Sequence, residues 1–171
     1  MTDNKTLYIA VGVIAAVAIV AVAAFVLFLD KGEYDKYEGK YFVYDVSGNY
    51  GSTTFDGTFK IEITGVKGST ATATYTYDVY QTTSGVRTPL MVKAETETVD
   101  LSEGDDVGVW QRTETMSTKW GSKTVDVYLE VYGSDSTEAF VDKDDPNVLY
   151  KIIMIESGMT MTFTLSETNF F

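Results

Sequence analysis

The chain has no cysteine and no histidine, and only two prolines, among its 171 residues. Without cysteine there are no disulfides, no thiolate nucleophile, no cysteine-bound zinc or iron–sulfur cluster, and no lipid on a cysteine. Without histidine, the commonest general base and the commonest metal ligand are both missing. Triads and dyads built on either residue are therefore excluded. Neither phosphate-cradling glycine loop occurs, and no serine stands three residues before a lysine. Carboxylates are abundant, so the one enzymatic reading left open is an acid-pair hydrolase. Nothing singles out such a pair, and the chain reads as no enzyme.

Positive charge is also scarce. Thirteen Lys and Arg face twenty-five Asp and Glu, for a net charge of −12. A chain this acidic repels phosphate backbones, which argues against nucleic acid as a partner. The same charge keeps a surface domain soluble.

What is present begins with an apolar run. Residues 7–29 read LYIAVGVIAAVAIVAVAAFVLFL, 23 residues with no charge, amide or proline. As a helix they would extend roughly 35 Å, enough for a hydrocarbon core of about 30 Å. The apolar side chains encircle that helix, which disfavours an interfacial amphipathic segment. A cleaved signal peptide is the rival, with Ala21, Ala23 and Ala24 as small residues for a cleavage site. Cleavage there would leave Phe25–Leu29 as an apolar terminus, so an uncleaved single-pass anchor is preferred. We therefore expect a short tail over 1–6, a transmembrane helix over 7–29, a charged stalk over 30–39, and an acidic β domain over 40–171. Lys31, Lys36 and Lys40 follow the run while Lys5 precedes it, a count that favours a cytoplasmic domain. Long domains translocate largely regardless of that count, and the Thr, Tyr, Ser and Gly bias favours the extracytoplasmic side. In the stalk, Tyr34 and Tyr37 suit a headgroup-level aromatic belt.

Beyond Tyr41 the pattern alternates with period two. Phe55, Gly57, Phe59, Ile61 and Ile63 share one side of their segment. Ala71, Ala73, Tyr75, Tyr77 and Val79 oppose a row of threonines. Val125, Val127, Leu129 and Val131 form a third apolar row, and Met159, Met161, Phe163 and Leu165 a fourth. Such alternation marks antiparallel strands with one dry and one wet face. Turn signals such as SGNYGS, GVKGS, TTSGVRTP, SEGDD, WGSK, YGSDS, DKDDPN and ESG separate eight or nine strands. An all-β antiparallel meander follows, curved into a half-barrel, a barrel or a sandwich to hide its apolar face.

Two sets of residues are candidate sites. Asp142, Asp144, Asp145 and Asn147 lie in one acidic loop whose oxygens suit calcium, although Pro146 breaks the calcium-loop pattern. The preferred reading of the same residues is an Asp-Pro-Asn turn in water. Trp110 and Trp120 are candidate partner or sugar-stacking residues. Tyr75 and Tyr77 would line an interior that holds a small apolar ligand or is filled by side chains.

Residues 121–171 resemble the end of bacterial lipoprotein-carrier and lipoprotein-sorting domains. The likeness rests on Val141-Asp142 entering a turn, the strand over 149–153, a glycine turn, and the alternating ending over 162–169. It implies an open half-barrel whose apolar concave face holds lipid acyl chains. The chain departs from those domains in lacking their closing helices and in carrying its own apolar run. Partners consistent with these readings are the membrane through 7–29, and an envelope protein, a glycan or a lipid.

Overall fold

The computed structural model describes residues 34–101 and 108–171, together with Gly12. The expected tail, the span over 7–29 apart from Gly12, and the first part of the stalk lie outside the described residues. Among the described residues, no helix is long and apolar enough to cross a membrane.

A short 3-10 turn, η1 (Tyr34–Tyr37), leads into nine strands. They are β1 (Tyr41–Tyr50), β2 (Thr53–Lys67), β3 (Thr70–Thr83), β4 (Val86–Asp100), β5 (Val109–Thr118), β6 (Gly121–Tyr132), β7 (Asp135–Asp142), β8 (Leu149–Glu156) and β9 (Met159–Thr168). All belong to one sheet in the order β4-β3-β2-β1-β9-β8-β7-β6-β5, and every neighbouring pair is antiparallel. Two meanders, β1–β4 and β5–β9, are thus joined along β1 and β9. A sandwich of two separate sheets is ruled out, and β4 and β5 are the edges of an open sheet.

The sheet cannot be flat. Eight interstrand spacings would part the edges by roughly 38 Å. The seven peptide steps from Leu101 at the end of β4 to Gly108 before β5 reach at most about 25 Å.

Register explains where the core sits, because directly opposed residues share a face. One row crosses all nine strands: Met91, Val79, Gly57, Val46, Phe163, Ile152, Ala139, Tyr128 and Trp110. Val79, Phe163, Ile152 and Ala139 in this row are fully buried, and burial fades to an exposed Trp110 at the β5 edge. We call this the inner face. Phe59 is its centre, stacked on Tyr77 at 5.0 Å and on Tyr44 at 6.3 Å, with Phe163 edge-on at 6.4 Å. Gly57 is required in its row, since a Cβ there would lie 2.1 Å from the Asp78 carbonyl oxygen of β3, at φ +153°.

Two expectations change. The apolar row of β6 lies on the opposite, outer face, since Val127 opposes Phe140, which opposes Lys151 and then Thr164. Only Val125 and Val127 in it are buried, while Val131 is exposed. The β5–β6 tip returns over the outer face. There Lys119 Nζ donates to the Ser166 carbonyl at 2.9 Å, and Met116 shares a cleft of about 260 Å³ with Asp45 and Thr164. The second change concerns the stalk. Its last residues belong to the folded body: Tyr37 is 1% exposed, and Gly39 and Lys40 pair with Ile63 of β2. Tyr37 is therefore core, not part of an aromatic belt.

Candidate functional site

Alternating strand direction gives the sheet two ends. The two-residue turns after β1, β3, β6 and β8 lie at one end. At the other, the entry end, lie η1, the turns after β2 and β5, the 143–148 loop after β7, and the terminal Phe170 and Phe171. The sequence-derived candidates fall in different places on this frame.

The acidic loop closes on itself. Asp142 is 4% exposed, and its Oδ1 accepts the backbone N–H groups of Asp144 at 2.8 Å and Asp145 at 3.1 Å. Its Oδ2 accepts the Tyr150 hydroxyl at 2.9 Å, with Lys123 Nζ at 3.7 Å. Asp145 Oδ1 accepts from the backbone and side-chain nitrogens of Asn147, and the Val148 N–H bonds the Asp145 carbonyl. This is the arrangement of an Asx turn with its carboxylate aimed inward. Asp142, Asp144, Asp145 and Asn147 are neighbours; Asp142 spends both oxygens within the fold and Asp145 one, while the Asn147 Oδ1 is buried without a hydrogen-bond partner. Among the described residues, no group of three or more acids is placed to hold a metal ion.

Tyr75 and Tyr77 lie on the inner face beside Phe59, both almost wholly buried. Across the β3–β4 ladder they oppose Glu95 and Lys93. Lys93 Nζ sits over the Tyr77 ring at 5.5 Å and bonds Glu95 at 2.7 Å. Burial, reinforced by Glu97 and Glu95, pushes the Tyr75 hydroxyl up to about 12. Burial likewise raises Tyr77, with Glu95 adding charge and a hydrogen bond. Both tyrosines therefore form an aromatic floor with a charged rim on β4.

The two tryptophans are not brought together. Trp110 is 54% exposed on the β5 edge, and its Nε1 donates to Asp126 at 3.3 Å. Trp120 is half-buried at the entry end, tilted against Tyr150 at 6.1 Å and edge-on to Phe171 at 5.4 Å.

Sequence reasoning missed two features. Gln81 on β3 is only 7% exposed, on the inner face between Phe55 and Thr88, and its Oε1 is buried with no hydrogen-bond partner. Its place in the alternation, two residues after Val79, was the available signal. The second is a set of lysines laid over aromatic rings at the entry end, contributed by segments up to 135 residues apart in sequence (Lys36 to Phe171). No local pattern announces it.

No family model matches the chain, and no curated protein matches it. Among solved structures it is similar to lipoprotein LppX of Mycobacterium tuberculosis, with 11% identity over 90% of this chain and 96% of that one. The TM-score is 0.37. A likeness of that size is weak and carries no argument about function.

Proposed function

We propose that this chain is a membrane-anchored, non-catalytic surface domain, held on the extracytoplasmic side and presenting its sheet and loops to an envelope component. The observation that carries this reading is the short tether. The uncharged run ends at Leu29, and the folded body begins at Tyr34. Five peptide steps reach at most about 18 Å, so a span in the bilayer keeps the sheet beside it. Membrane fractionation and protease shaving of intact cells test the reading together. The expected outcome is full-length chain in the membrane pellet, resistant to carbonate, with the β domain digested from outside. Full-length chain in a detergent-free supernatant sinks the anchor; a protected domain in intact cells sinks the sidedness.

A second reading, an apolar ligand held on the inner face, is favoured by Gln81. A buried amide oxygen without a partner costs about 1–3 kcal/mol, a cost that a donor on a bound molecule would remove. Gln81→Leu separates the two accounts in the purified full-length chain. Ligand binding predicts copurifying lipid in solvent extracts of the wild type, and at least a several-fold loss of it in the variant. Equal or absent lipid, with a higher melting temperature in the variant, means that Gln81 is an unsatisfied core residue and nothing more.

A further inference from the structure

Charge is distributed unevenly between the ends of the sheet. Over the entry-end segments 34–40, 67–70, 100–101, 118–124, 142–148 and 168–171, six lysines stand against six acids. Over the other described residues of the domain, five cations face thirteen acids. Among the described residues, the excess negative charge of the domain therefore lies on its walls and far end.

The acids and lysines of the entry end are also used differently. Asp142 and Asp145 are turned into their own loop, as described above, and Glu38 accepts from the Val66 N–H at 3.4 Å. Four lysines lie over aromatic rings, although Lys123 also faces Asp142 at 3.7 Å and Lys40 and Lys119 also donate to backbone carbonyls. Lys36 is 5.2 Å from the Tyr37 centroid, Lys40 5.8 Å from Phe170, Lys119 5.9 Å from Trp120 and Lys123 5.5 Å from Phe171. Each is within the reach of a cation–π contact. Phe171 remains 58% exposed, and a cleft of about 400 Å³ opens between Lys36, Lys40, Phe170 and Asn147. Ammonium groups interleaved with aromatic rings match the chemistry of a lipid headgroup layer, in which rings settle and lysines meet phosphate.

We propose that this entry end is a docking surface for anionic lipid headgroups, formed by Lys36, Lys40, Lys119 and Lys123 with the partly exposed rings of Trp120, Phe170 and Phe171. The occupant is a bilayer rather than an acidic protein because the apolar run ends five residues before η1, on this same end. The inference rests on the anchored reading and adds an orientation to it. The domain stands on its lysine-bearing end, with its acidic walls and far turns held away from the negative surface.

The test uses the full chain carrying Trp110→Phe, which leaves Trp120 as its single tryptophan. It is reconstituted into vesicles bearing a spin label on the headgroup, either zwitterionic throughout or with about one-third anionic lipid. At low salt, Trp120 emission should be quenched at least twofold more in the anionic vesicles. That excess should vanish in roughly 0.5 M salt, where screening is short-ranged. Lys36→Gln, Lys40→Gln, Lys119→Gln and Lys123→Gln together should remove it while the chain still floats with the vesicles. The salt arm needs no variant, so a variant that fails to fold leaves the question decided. Flotation without quenching, or quenching indifferent to lipid charge and salt, overturns the docking surface and leaves the anchor standing. A chain that does not float overturns the anchor and this inference with it.

Discussion

At the residue scale, the tightest demands of the fold fall on backbone approach. Gly57 lies where β2 meets β3 in the centre of the inner-face row, and a methyl group would collide with backbone atoms, not with a movable side-chain tip. Gly65 sits at the register shift in the same β2–β3 ladder, with nothing within 4 Å of its would-be Cβ. Gly57→Ala is expected to destabilise the domain by about 2–3 kcal/mol, as overpacking does. Gly65→Ala should fall within about 0.5 kcal/mol of the parent. Urea unfolding followed by tryptophan emission measures both, and equal midpoints for the two variants would contradict the close approach at Gly57. The sequence placed Gly57 in an alternating row and Gly65 in the turn signal GVKGS, whereas β2 runs through both to Lys67. Their difference depends on what the neighbouring strand brings against each.

At the element scale, the 142–148 loop shows how the same residues admit two chemistries until their lone pairs are counted. Asp142 accepts two backbone N–H groups and the Tyr150 hydroxyl from a buried position. Asp142→Ala would strand those donors, at an expected cost of about 3 kcal/mol. Asp144→Ala removes no such bond and should be close to neutral. Millimolar calcium is expected to leave the melting temperature of the parent unchanged. A rise of several degrees that Asp144→Ala and Asp145→Ala abolish would support the calcium reading. The composition DKDDPN showed that a turn lies here. It could not show that Tyr150, eight residues on, takes the second oxygen of Asp142.

At the scale of the whole molecule, the buried tyrosines couple folding to alkaline pH. Tyr44, Tyr75, Tyr77 and Tyr150 are all raised above the ordinary tyrosine value by burial, Tyr75 to about 12. For Tyr77 and Tyr150 neighbouring carboxylates add to the effect. Above about pH 10 the unfolded chain gives up these protons while the folded one keeps them, so unfolding releases protons and is favoured as pH rises. The contribution is complete below pH 10 and is lost between about pH 10 and 12 for Tyr75, extending higher for the others. The phenolate absorbance of the buried tyrosines should therefore rise in a cooperative step that coincides with loss of near-ultraviolet circular dichroism. A smooth titration of all twelve tyrosines near pH 10, with the fold intact, would contradict the packed aromatic floor.

The sequence by itself determined the strands, because period-two alternation and short turn signals are local properties of the chain. It placed Phe59, Tyr75, Tyr77, Val79 and Phe163 on dry faces correctly, and the turns that separate β1 through β4 and β5 through β9. Tertiary structure alone decided which strands meet. The ladder between β1 and β9 pairs Phe42 with Thr168, and no local pattern encodes a partner so distant. The same holds for the face of β6, set by register across several strands, and for Tyr37, drawn into the core by β2 and Phe170. It holds as well for the lysine-bearing end, which exists only because antiparallel strands return several separate segments to one place.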